Sequence, residues 1–124
     1  MLKLENEISV IVVKADNHGK TWDYMKAIEY TLNTIPGLTC TNALGYWIED
    51  NRLYKDNSII ASCNFTGNDL KTVRSMVYLA YNVLHKANQQ AVSIKLNGVL
   101  YILDRDDFTK ATSDVASMLL DAIK

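Results

Sequence analysis

"LTCTNALGYWIEDNRLYKDNSIIASCNF", residues 38–65, carries the dipeptide Asp50-Asn51 between two runs rich in Thr, Tyr, Trp and Ile. Asp and Asn tolerate the positive φ angles of a two-residue hairpin loop, so the stretch predicts two antiparallel strands with Glu49 opposite Arg52. That register sorts the side chains, because neighbours along a strand point to opposite faces. Leu38, Cys40, Leu44, Tyr46 and Ile48 then share a face with Leu53, Ile59, Ala61, Cys63 and Phe65, and this is the expected core face. Thr39, Thr41, Ala43, Trp47, Tyr54, Ile60 and Ser62 share the other, with Trp47 directly across from Tyr54. An aromatic pair with Ile60 on the same face predicts a covered surface rather than one bare to water. Trp47, Tyr54 and Ile60 are thus the candidate contacts of a homo-oligomer, a dimer or larger, unless the C-terminal helix folds across them.

Outward from the hairpin, "ISVIVVKA" (8–15) is β-branched and nearly continuous, as suits a strand covered on both faces. After "DNHG", Thr21 is placed to cap a helix with the apolar stripe Trp22, Met25, Ile28, Leu32 and Ile35, stopped by Pro36-Gly37. Downstream, Asn68 or Asp69 caps a long helix, "KTVRSMVYLAYNVLHK" (71–86), whose apolar stripe is Leu70, Val73, Val77, Ala80, Leu84 and Ala87. "AVSIKL" and "VLYILD", joined by Asn97-Gly98, form a second hairpin, and a helix from Asp106 to Ile123 ends the chain. The order is βαββαββα. Its first six elements match the split βαβ arrangement of a ferredoxin-like α+β domain, in which two helices cover one face of an antiparallel sheet. A further strand and helix extend that unit, and residues 1–124 form a single domain.

The β-branched first strand, the Gly19-x-x-Trp22 helix entry, "PGLTCTNALGYW", and a second strand followed by a long helix and "QQAVSIKL" resemble a family of small bacterial domains of unknown function. The resemblance runs from residue 8 to about residue 102 and implies a ferredoxin-like fold, with no catalytic residues to carry over. "TIPGL" and the later helix and hairpin are similar to roadblock-type dimerisation domains, but the strand before the first helix and the missing final strand do not fit that pattern.

A chain of 124 residues with 48% hydrophobic composition is long enough for a core without disulfides or a structural metal. Its net charge of −1 gives no global attraction for long nucleic acid. Lys3, Glu5 and Glu7 interrupt the start where a signal peptide is apolar, and no run reaches the length of a membrane span. A cytoplasmic protein is expected, with Cys40 and Cys63 as free thiols. On the hairpin the two are diagonal neighbours, roughly 7 Å apart at Cβ, too far for a disulfide and both expected buried.

No CxxC, HExxH or phosphate-loop pattern occurs. Asp104, Asp106 and Asp107 in "DRDDF" cluster at a strand-to-helix junction, where helix capping explains them without a cation. His18 in "DNHG" reads as a turn residue. No metal or other cofactor is expected, and no catalytic set is assembled.

The remaining signal is a second stripe on the long helix. Lys71, Arg74, Tyr78, Tyr81 and His85 keep helical rhythm beside the apolar one. Border tyrosines and lysine stems commonly cover core edges, yet the same rings stack on ligands, and the cations recognise phosphate or carboxylate. The expected function is a non-catalytic, self-associating module that binds a small anionic, nucleotide-like ligand or an acidic protein surface with these five residues. The alternatives are a small inhibitor acting by surface complementarity and a small cofactor-free enzyme using His85, Tyr78 and Asp104.

Overall fold

The computed structural model describes all of residues 1–124. Along the chain lie β1 (Asn6–Val13), α1 (Tyr24–Thr31), β2 (Thr39–Glu49), β3 (Arg52–Phe65), α2 (Leu70–Lys86), β4 (Ala91–Leu96), β5 (Val99–Asp104) and α3 (Thr112–Ala122). A single 3-10 turn, Asp107–Thr109, precedes α3, where the sequence suggested one continuous helix. The strands form one antiparallel sheet in the order β2-β3-β1-β4-β5. The architecture is a small α+β fold, and no helix is long and apolar enough to cross a membrane.

β1 is central. Ile8 pairs with Cys63 on one side and Leu96 on the other, and Val10 likewise with Ala61 and Ile94. Ile8, Val10 and Val12 are wholly buried under the helices. α2 packs on β1 and β4 and is flanked by α1 and α3, so Met76, Leu79 and Val83 are buried as well as Val73, Val77, Ala80 and Leu84. Its N-cap is Asp69, whose carboxylate accepts from Thr72 N at 3.1 Å.

Both hairpin loops have the expected geometry. Asp50 and Asn51 have φ of 52° and 61°, Asn97 and Gly98 of 50° and 82°, as a type I′ turn requires. The register is also as read, with Trp47 opposite Tyr54 and Glu49 opposite Arg52. Burial differs. β1 ends at Val13, opposite Ser58, so the six pairs from Leu44–Asn57 to Glu49–Arg52 have no third strand beside them. They form a two-stranded arm reaching roughly 20 Å past the sheet at about 3.4 Å per residue. Leu44, Tyr46, Ile48 and Leu53, expected in the core, are exposed along it.

Two further expectations, on the start of α1 and the place of Trp22, are corrected, and the alternative of α3 lying across the sheet is not the one observed. α1 begins at Tyr24 with Asp23 as its cap, not Thr21, so Ala27, Ile28 and Thr31 face inward while Met25 and Leu32 are exposed. Trp22 precedes the helix and donates its indole N–H to the Val13 carbonyl at 2.6 Å. α3 packs against α2 rather than across the sheet, so the second sheet face has no helix on it, and Leu100 and Ile102 are exposed there.

These burials predict unequal costs for similar truncations. Ile94→Ala should lose about 2–5 kcal/mol in denaturant unfolding, whereas Leu53→Ala on the arm should change stability by only about 0.5 kcal/mol. Equal losses would place the arm in the core.

Candidate functional site

α2 turns one line of side chains toward α1: Lys71, Ser75, Tyr78, Asn82 and Lys86, spaced by three and four residues, with Ser75 and Asn82 buried and the other three exposed. A groove follows the seam between the two helices. One basin, about 350 Å³, is lined by Trp22, Lys26, Tyr30, Tyr78, Asn82 and Lys86, with Asp23 and Ala27. The adjoining basin, about 300 Å³, has Thr31, Thr34, Arg74, Ser75 and Thr112 and shares Tyr30 and Tyr78 with the first. The two rings form its waist, with centroids 5.8 Å apart and planes tilted by 42°. Lys71 lies at the far end beside Arg74.

The groove is cationic in a chain of net charge −1. Lys26, Lys71, Arg74 and Lys86 face one carboxylate, Asp23, which already accepts from Lys26 N at 3.1 Å. None of the four cations is in an ion pair; the chain's sole ion pair joins Lys124 to Asp121 at 3.0 Å. In the Arg74 basin, Ser75 Oγ lies 2.7 Å from Thr34 Oγ1 and 2.9 Å from the Lys71 carbonyl, which fixes two hydroxyls at the basin wall.

The five-residue stripe is split by its neighbours. Lys71, Arg74 and Tyr78 line the groove. Tyr81 stacks on Tyr78 at 5.8 Å but turns its other side to Phe108, 5.7 Å away edge-on, and is half-buried. His85 packs on Tyr81 at 4.3 Å, and its Nδ1 lies 3.3 Å from Arg105 Nη1. Tyr81 and His85 therefore belong to the seam with the Asp107–Thr109 turn, because α2 is wide enough to present one flank to each neighbouring helix. Asp104 accepts from the backbone N–H of Asp106 and Asp107 at 3.0 and 3.2 Å, a capping role, and no hydrogen bond joins it to His85 or Tyr78. No three His, Cys, Asp or Glu side chains converge as a metal site.

The sequence reads Trp22 as part of an apolar helix stripe, and it points to neither Trp22 nor Tyr30, Ser75, Asn82 or Lys86 for the site. Ser75 and Asn82 carry a faint signal, two polar residues seven apart within the buried helix. The aromatics of α1 carry none until its start is known.

A second concavity, about 680 Å³, lies between the arm and the segment after β1, with Trp47, Tyr54 and Asp56 on one side and Lys14, Asp16 and Asn17 on the other. Trp47 and Tyr54 stack with centroids 5.3 Å apart and planes 12° from parallel. Ile60 pairs with Ile11 further along the same open face. Asp16 accepts from Lys20 N at 2.8 Å and His18 N at 2.9 Å, and these amides, Lys20 first, hold its carboxyl below the usual range. His18 is exposed, a turn residue as read.

No protein-family model and no curated protein sequence matches the chain. Two solved structures share its fold. A phage SAM lyase in complex with S-methyl-5′-thioadenosine superposes with a TM-score of 0.63 at 12% identity, over 84% of this chain and 95% of that one. A phage SAM lyase in its apo state gives 0.59 at 14% identity, over 84% and 94%. At these identities the likeness is one of fold.

The thiols separate the two halves of the hairpin. Cys40 is exposed because β2 is a sheet edge, contrary to the expected burial. Cys63 is half-buried, and burial, with the Asp69 charge adding to it, pushes its thiol up to about 11. With a thiol reagent near pH 8, one equivalent should react quickly at Cys40, and Cys63 should follow only slowly or on unfolding. Two equally fast thiols would contradict this placement.

Proposed function

We propose that this chain is a cytoplasmic, ferredoxin-like binding module whose α1–α2 groove takes a small anionic, nucleotide-like ligand. The observation that carries the reading is the groove's composition: two facing tyrosines between unpaired cations, Arg74 and Lys71 at one end and Lys26 and Lys86 at the other. Rings of this kind stack on planar heterocycles, and Arg engages phosphate with a planar pair of N–H donors. The position of β1 between β3 and β4, with α1 and α2 on one face, supports the ferredoxin-like assignment and, with it, kinship to the small bacterial domains that the sequence resembles. The nucleoside held by one of the two fold neighbours supports the nucleoside part of this ligand class, and the anionic part rests on the cations alone.

Self-association is the second part of the reading. The arm exposes Leu44, Tyr46, Ile48 and Leu53 on one side and the Trp47–Tyr54 stack on the other, and Ile60 and Ile11 extend the apolar surface onto the open sheet. Exposed apolar area of this extent marks a contact surface. An acidic protein surface is the other occupant that the cations suit.

A small enzyme is the alternative that a specific observation favours, because both fold neighbours are lyases. Incubation with SAM, followed by mass spectrometry, separates binding from turnover: unchanged SAM supports the binding module, and conversion moves the assignment to the enzyme.

Calorimetric titration with AMP and with S-methyl-5′-thioadenosine tests the groove. Arg74→Ala and Tyr78→Ala should each weaken AMP binding by about tenfold or more, the scale of losing a hot-spot contact, with the fold retained. Native mass spectrometry of the same samples should show a dimer or larger that Trp47→Ser reduces. Normal AMP binding by both groove variants would remove the case for this face, and a wild type that stays monomeric would remove the oligomer.

A further inference from the structure

Asn82 sits in the middle of the longest helix and is 95% buried by its 5% relative exposure, yet its carboxamide takes part in none of the chain's side-chain hydrogen bonds. An amide with no partner inside the protein has to be satisfied by solvent or by a ligand. No side-chain nitrogen or oxygen of the protein is both sealed from solvent and unpaired, so the polar end of Asn82 opens into the basin that it lines. An amide held there offers one acceptor and two donors side by side to whatever enters.

The surroundings restrict what that is. On either side of Asn82 the wall is Trp22, Ala27 and the rings of Tyr30 and Tyr78, which suit a flat, largely apolar body. Lys26 and Lys86 line the same basin, and a long apolar stem with a cationic head suits the edge of such a body. Past the tyrosine waist the character changes to the Arg74 guanidinium and the Thr112 hydroxyl, donors suited to an oxyanion, while the hydroxyls of Thr34 and Ser75 are held in the wall by bonds to the Thr31 and Lys71 carbonyls. Asn82 and Arg74 are eight residues apart on α2, about 12 Å along its axis at 1.5 Å per residue. A free base or a free phosphate reaches only one of them.

We propose that the two basins are subsites of a single site for a nucleoside 5′-monophosphate: the Asn82 carboxamide pairs with the edge of the base, and Arg74 holds the phosphate. The inference rests on the binding function proposed for the groove and adds the ligand's class and orientation. Asn pairs in bidentate fashion with a base edge that presents an amino donor beside a ring-nitrogen acceptor, as adenine does. The sugar then spans the waist at Tyr30 and Tyr78. Binding depends on both ends.

Titration of the full chain with AMP, adenosine and ribose 5-phosphate, on the wild type, Asn82→Leu and Arg74→Ala, tests the assignment. AMP should bind the wild type more tightly than either fragment. Asn82→Leu should weaken AMP about tenfold or more and leave ribose 5-phosphate unchanged. Arg74→Ala should weaken AMP and ribose 5-phosphate and leave adenosine unchanged. Thermal unfolding gives a readout free of ligand: Asn82→Leu should melt no lower than the wild type, because no internal hydrogen bond is lost, and a marked drop would assign Asn82 a structural role and overturn the proposal. AMP binding that needs Arg74 but ignores Asn82→Leu overturns the base subsite and leaves the groove as an anion site. Absence of binding by all three compounds overturns both the subsites and the groove's proposed function.

Discussion

Burial of α2 on three sides is the constraint on which the molecule depends. The sheet lies beneath it, with Ile8, Val10 and Ile94 wholly buried, and α1 and α3 close its flanks. A helix so enclosed keeps its polar side chains for its flanks, and in α2 one of these runs along the seam with α1. The groove is therefore a product of packing rather than of loops. Lys71, Ser75, Tyr78, Asn82 and Lys86 are held on a helix that cannot move without opening the core, and rigid elements position binding groups better than loops do. Their helical spacing sets the order of chemistry along the groove.

The same packing explains a cationic site in a chain of net charge −1. Several acidic side chains are engaged with the backbone: Asp23, the one in the groove, caps α1, Asp69 caps α2, Asp104 caps the turn before α3, and Asp16 holds the segment after β1. Glu5 accepts from Thr66 Oγ1 at 2.9 Å and from Gly67 N at 3.2 Å. The cations of the groove have no such partners, so their charge is left uncompensated along it.

Much of this was legible in the sequence, for identifiable reasons. Asp50-Asn51 and Asn97-Gly98 are strong turn signals, so both hairpins and the exact pairing of Trp47 with Tyr54 followed from two dipeptides. Element order followed from periodicity. Burial along β2 and β3 did not follow, because it depends on where β1 stops, and nothing within residues 38–65 records that Val13 is the last partner. Leu44, Tyr46, Ile48 and Leu53 consequently look like core and form an arm. Cys40 looks buried for a different reason: its neighbour Ala61 is paired to β1, but β2 is the sheet edge, and an alternating pattern identifies a face and not whether a helix reaches it. On α2, rhythm alone could not divide Tyr78 from Tyr81, because that division is made by α1 and Phe108. Asn82 left only the faint signal of a polar residue in a buried helix, because the lack of an internal hydrogen bond to its amide shows only in the assembled fold.

The most direct test is a titration of isotopically labelled protein with AMP, followed residue by residue through backbone amide shifts in two-dimensional NMR. A ligand in the α1–α2 groove should move the amides of Lys26, Ala27, Tyr30, Ser75, Tyr78 and Asn82 and leave the arm and the segment after β1 unperturbed. Shifts confined to Trp47, Tyr54 and Asp16–Gly19 would place the ligand in the cleft beside the arm and contradict the groove as the binding site.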